Sequence, residues 1–211
     1  MLEENFCPRL LNGRDKLGRP ILYIALGGVD VPALAKQGVT VEDLIRCWVR
    51  TSEQVRLAVE ASEDPLAGHL LINDLGLGSA NPCTAMKFIR ALRFWIAQGR
   101  LGQNYYPEML GHTAVIRGPP PAAWAVSQIK RFLDKKTADK IELTSCDPYL
   151  ALGEHISADV LRELDAEFKT TTPTTHDCGD DESGRRAAWL WRAAVLVIII
   201  SCAVVQSQAG H

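Results

Sequence analysis

The sequence predicts an α/β domain whose short buried strands are joined through helices and therefore pair in parallel. Two near-continuous apolar runs, Ile21–Leu26 (ILYIAL) and His69–Leu75 (HLLINDL), read as strands covered on both faces. A helical pattern follows each of them, and strand-helix-strand succession calls for crossover connections. A third stretch, Asn104–Leu143, runs through turn, strand, amphipathic helix and strand without a break. At 211 residues, 47% apolar and 23% charged, the chain is long and apolar enough for one sizeable core.

Taken in order, Arg14–Pro20 (RDKLGRP) is a turn in which Gly18 and Pro20 set a hairpin-like approach to the first strand. Thr40–Ala61 reads as a long helix, with Thr40 as N-cap, Asp43 three residues on, and Leu44, Cys47, Trp48, Val55, Leu57 and Val59 spread over a broad apolar side. The second strand is ended by Gly76 and Gly78, and Asn81 opens a helix through Pro82 to Gln98. In Ala122–Leu133, the residues Trp124, Val126, Ile129, Phe132 and Leu133 suit a helix that buries one side on a sheet. The same residues also suit an ordinary core helix. Pro119–Pro121 hold the preceding chain extended.

A formal net charge of −2 argues against nucleic-acid binding, which needs a clustered basic surplus to displace counterions from phosphates. The six cysteines form no C-x-x-C pair and read as reduced structural thiols. Neither they nor His69, His112, His155, His176 and His211 show metal-ligand spacing, so no metal site and no cofactor are expected. The opening MLEENFCPRLL carries two acids and no long apolar core, unlike a secretory signal.

Toward the C-terminus, Ala187–Val205 (AAWLWRAAVLVIIISCAVV) approaches the ~20 apolar residues that a bilayer core needs and is interrupted only by Arg192. Arg185 and Arg186 flank its start, and Trp189 and Trp191 supply an aromatic belt. A transmembrane helix is expected there, in a tail-anchored layout with the preceding domain facing the cytosol; a buried or interfacial helix is the alternative. The organelle is open, with the endoplasmic reticulum favoured. Thr170–Gly184 (TTTPTTHDCGDDESG) has too little apolar surface to order itself. The expected organisation is thus a domain at 1–168, a flexible linker at 169–186 and a span at 187–205.

The order of parts in Asn104–Leu143 resembles the CRAL-TRIO lipid-binding domain. Tyr105, Tyr106, Pro107, Glu108, Leu110, Gly111, Pro119, Trp124, Ile129, Lys130, Phe132, Leu133, Thr137, Lys140 and Ile141 match that family's block of aromatic-Pro-Glu turn, strand, Trp-bearing helix and Lys-x-Phe-Leu. Asp15–Pro20 matches its Asp-x-x-Gly-Arg-Pro turn, and Asp74, Leu75 and Gly76 match its Asp-Leu-x-Gly strand end, so the likeness covers roughly residues 12–161. It implies a mixed, mostly parallel sheet flanked by helices, forming the floor of an apolar lipid pocket closed by a gate helix. It also implies a single bound phospholipid or other small lipophile, with sensing, presentation or transfer at a membrane as the task.

In the phosphatidylinositol-transfer branch the resemblance implies headgroup contacts from Glu108, Thr137 and Lys140. An ammonium can pair with a phosphodiester, a hydroxyl can bond a phosphate oxygen, and a carboxylate can accept from inositol hydroxyls. A structural Glu108–Lys140 ion pair is the alternative. Pocket and gate positions fall on Leu22, Leu71, Trp124, Ile129, Phe132 and Leu133. The positions that hold a choline headgroup in the family fall, in ungapped alignment, on Leu11, Leu22, His69 and Leu71, which disfavours choline lipids. The family's preceding helical lobe and its Leu-Pro-x-x-x-Gly-Gly ending are not matched, the latter by Leu161–Asp165, and this points to a membrane-resident sensor or presenter.

No enzymatic activity is expected. Gly76-x-Gly78 meets Asn81 where a dinucleotide loop places its third glycine, no Gly-x-Ser-x-Gly elbow occurs, and Cys83 has no neighbouring His as base. The rival class is an interaction scaffold, as for small GTPases or their regulators.

Overall fold

Strand β1 (Arg9–Arg14) turns back into β2 (Pro20–Ala25) around one buried carboxylate. Asp15 accepts from the backbone N–H groups of Leu17 at 3.0 Å and Arg19 at 2.8 Å, and from Arg19 Nε at 2.6 Å. Gly18 supplies the φ of 78° that the reversal needs. The protein is seen here as a computed structural model, which describes residues 8–25, 31–75, 97, 101–102, 104–106, 108–117, 135–143 and 147–170.

After β2 come α1 (Val31–Lys36) and α2 (Val41–Glu60), the latter opened by a complete capping box in which Thr40 and Asp43 satisfy each other's backbone N–H. A 3-10 turn, Pro65–Ala67, leads into β3 (His69–Asp74). Strand β4 (Leu110–Ile116), helix α3 (Lys135–Asp139), strand β5 (Ile141–Leu143), helix α4 (Pro148–Gly153) and helix α5 (Ala158–Thr170) follow.

Among the described residues, five strands lie in sequence order in one sheet. β1 is antiparallel to β2, and every later pairing is parallel. The mixed, mostly parallel sheet is therefore as expected. Both faces are covered, which explains the unbroken apolar run of β2. Ile21 and Tyr23 pack with Leu70 and Ile72 against Leu152, Ile156 and Leu164 of the α4–α5 side. Leu22 and Ile24 pack against Val55 and Val59 of α2.

Helix α5 carries regular structure to Thr170, two residues beyond the expected domain end at 168. Of the expected helix Asn81–Gln98 only Ala97 is described, as helical. The helix Ala122–Leu133, with Trp124, Ile129, Phe132 and Leu133, lies outside the described residues, as does the expected span 187–205. Among the described residues no helix is long and apolar enough to cross a membrane.

Candidate functional site

Parallel pairing puts the starts of β3, β4 and β5 along one edge of the sheet, and the sequence-predicted polar residues sit there. Glu108, two residues before β4, is exposed and holds a φ of 59°. Its turn is tethered to α2 by the Tyr106 hydroxyl, which donates to Glu53 at 2.7 Å; burial and that bond push the phenol up to about 12. Lys140, immediately before β5, is half-buried, and its Nζ donates to the Leu110 carbonyl at 2.8 Å while its own carbonyl accepts from Thr113 N–H. Thr137 is in α3, with its backbone alone described. The fold thus brings the surroundings of Glu108 and Lys140 to neighbouring strand ends, and the lysine's described bond serves the backbone of β4.

Leu22 and Leu71 are register partners on the α2-facing side of the sheet. Leu22 is buried in the core and Leu71 half-buried. On β1, Leu10 is the partner of Leu22, and Leu11, one of the positions aligned to the choline headgroup, packs on the α4–α5 side. Strand side chains alternate, so an offset of one residue moves a position to the opposite face. β1 also carries a register shift between Leu10 and Arg14, which sequence spacing does not display.

His69 opens β3 with only 8% of its surface exposed, and its Nδ1–H donates to the Met109 carbonyl at 2.6 Å. Burial holds this imidazole down at about 4, with Met109 opposing and Arg19 reinforcing the shift. Close approach defines the site: a Cβ on Gly111 would stand 2.1 Å from the Ala67 carbonyl oxygen, so only glycine lets the 3-10 turn lie on β4. At the other edge, Asp74 at the end of β3 accepts from Tyr23 Oη at 2.6 Å and from Arg117 Nε at 2.7 Å, and Arg117 Nη2 bonds the same carboxylate.

A further cluster lies on the α4–α5 side. His112 Nε2 is 3.3 Å and His155 Nε2 3.0 Å from one carboxylate oxygen of Glu142. Burial and then His155 lower the affinity of His112 for a proton, while Glu142 is held below its usual range by the two imidazoles despite its partial burial. No spacing rule finds this set, because β4, β5 and the α4–α5 connection each supply one member.

Comparison with known proteins points the same way as the topology. The family model described as CRAL/TRIO domain matches residues 8–164. The chain is 31% identical over 162 residues to the SEC14 cytosolic factor of Schizosaccharomyces pombe, covering 74% of this chain and 54% of that protein. It is 26% identical over 172 residues to the SEC14 cytosolic factor of Candida glabrata, covering 79% and 52%. Protein real-time of Drosophila pseudoobscura pseudoobscura is 29% identical over 161 residues, covering 73% and 22%. The chain spans about half the length of the two SEC14 cytosolic factors.

Proposed function

This chain belongs to the CRAL/TRIO domain family, and from that premise we propose that it binds one lipid or small lipophile without transforming it. The favoured ligand is phosphatidylinositol-like, and the task is sensing, presentation or transfer at a membrane. One observation carries the reading: Glu108 and Lys140 flank adjacent strand starts on the sheet whose α2 side holds Leu22 and Leu71. Anionic and cationic groups then stand at the rim and apolar ones on the strands behind them, the polarity order of an amphiphile. Leu22 and Leu71 act as floor, with Trp124, Ile129, Phe132 and Leu133 assigned to the gate.

The test is native mass spectrometry of the full chain followed by extraction of whatever co-purifies. A bound phospholipid supports the reading, and a bare mass favours the scaffold. Lys140→Ala is expected to lower phosphatidylinositol loading about tenfold, the equivalent of one charge-assisted hydrogen bond. Normal loading with a depressed melting temperature would instead assign Lys140 wholly to its bond with Leu110.

Residues 187–205 are proposed as the membrane anchor on their composition. The protein should accordingly resist extraction from membranes by alkaline carbonate, and deletion of 187–205 should release it to the supernatant. Extraction of the intact chain would remove the anchor from the proposal.

A further inference from the structure

We propose that Nε2 of His112, a carboxylate oxygen of Glu142 and Nε2 of His155 form a three-ligand site for a divalent transition-metal ion of the zinc type. The three candidate ligand atoms lie within 4.8 Å of one another. Metal–ligand bonds of about 2.0–2.1 Å in a tetrahedron place neighbouring donors about 3.3–3.4 Å apart. The two N···O separations here are 3.3 and 3.0 Å, so two edges are already near that length. Ring centroids 4.7 Å apart, tilted by 36°, let both imidazoles face the shared oxygen.

Donor chemistry fits as well. Two imidazoles and one carboxylate are borderline nitrogen and hard oxygen ligands, a set suited to zinc and its neighbours. Binding asks each imidazole to carry its proton on Nδ1 so that the Nε2 lone pair meets the ion. The nearby cations are engaged elsewhere: Arg19 pairs with Asp15 at 2.6 Å, Lys140 donates to the Leu110 carbonyl, and Lys16 Nζ donates to the Gly153 carbonyl. With both imidazoles neutral, the ligand set carries the single negative charge of Glu142.

Each ligand stands on a backbone that is held. His112 is in β4 between two parallel neighbours, and Glu142 is central in β5. The backbone of His155 is fixed by its N–H to Leu152 at 2.9 Å and by Lys16 N–H to its carbonyl at 2.8 Å, while the next residue, Ile156, bridges to Asp15. An ion there would tie the α4–α5 connection and the Asp15 turn to the β4–β5 edge. Side-chain exposures of 18%, 44% and 21% for His112, Glu142 and His155 leave a path for the ion to enter.

The experiment is calorimetric titration of the chelator-stripped full chain with zinc chloride, paired with visible absorption of the cobalt(II)-loaded protein. One equivalent of zinc should bind, and cobalt should give the intense visible bands of a four-coordinate site. Glu142→Gln and, separately, His112→Gln should each weaken zinc by at least about tenfold and remove those bands, with a wild-type circular dichroism spectrum. Absence of stoichiometric zinc binding, or wild-type affinity in either folded variant, overturns the proposal and leaves the three groups as a hydrogen-bonded cluster. The readout uses metal alone, so its failure leaves the lipid reading standing.

Discussion

Asp74→Ala is expected to lower the free energy of unfolding by about 3–5 kcal/mol, the range found when one member of a buried ion pair is removed. The Asp74 residue is 1% exposed, and Arg117 is 6% exposed. The variant removes the counter-charge of a guanidinium held in a place built around a carboxylate. It also removes the acceptor of the Tyr23 hydroxyl, which sits in β2, two strands away from Arg117. Three consecutive strands are therefore fastened at one edge through a single side chain. Burial alone would lower the affinity of Arg117 for its proton; the hydrogen bond and charge of Asp74 outweigh it and raise it above the ordinary arginine value. The φ of 52° at Arg117 adds a reason for the dependence, since a left-handed conformation persists where surrounding contacts determine it. Urea denaturation followed by circular dichroism measures the loss, and a decrease under about 1 kcal/mol would contradict the assignment. Tyr23→Phe, which deletes the hydroxyl's bonds to Asp74 and Arg117 and keeps the ion pair, should cost less, about 1–2 kcal/mol.

What the sequence discloses and what it conceals divide along physical lines. Helix α2 is legible because its N-terminal signal is local: Thr40 and Asp43 are three residues apart, and each side chain accepts from the other's backbone N–H. β2 and β3 are legible because burial on both faces writes an apolar run, unbroken over Ile21–Ala25 in the first and over Leu70–Ile72 in the second. The Asp15–Pro20 turn is legible because one carboxylate meets groups within four residues. β1 escapes, since Arg9–Arg14 alternates poorly and contains a register shift. Helices α4 and α5 escape detailed description for a different reason: Leu152, Ile156 and Leu164 reveal their role only once the sheet they cover exists.

The candidate sites divide in the same manner. Glu108 and Lys140 were found by resemblance, and parallel pairing accounts for their common edge, but the bond from Lys140 to the Leu110 carbonyl is a tertiary fact. His112, Glu142 and His155 are separated along the chain by intervals of no motif. Their meeting requires β4 beside β5 and the α4–α5 connection folded over that pair. Such a set is invisible to spacing arguments and evident from topology.

Stability is expected to fall as pH drops from about 6.5 toward 4, with His69 supplying on the order of 3 kcal/mol of the change at most. The unfolded imidazole takes a proton near its ordinary 6.5, whereas the folded one, buried at the start of β3, does so only near 4. Between these values the unfolded chain binds more protons, so the unfolding free energy rises with pH across the window. The contribution is full above 6.5, is lost progressively as pH falls, and levels off below 4. Glu142 and Glu53, whose carboxyls are held below their usual range, add losses of the same sign at the acidic end, and His112 adds one on the histidine side. The difference between wild type and His69→Gln isolates the single residue. The variant should show a shallower slope of unfolding free energy against pH, most clearly between about 6.5 and 5, where carboxylates contribute least. Superimposable slopes would mean that His69 charges as readily when folded as when unfolded. The position matters for the proposed site, because His69 donates to the Met109 carbonyl, one residue after Glu108. Protonation in that buried place would set a second positive charge near Arg19, at the strand edge beside the proposed headgroup contacts.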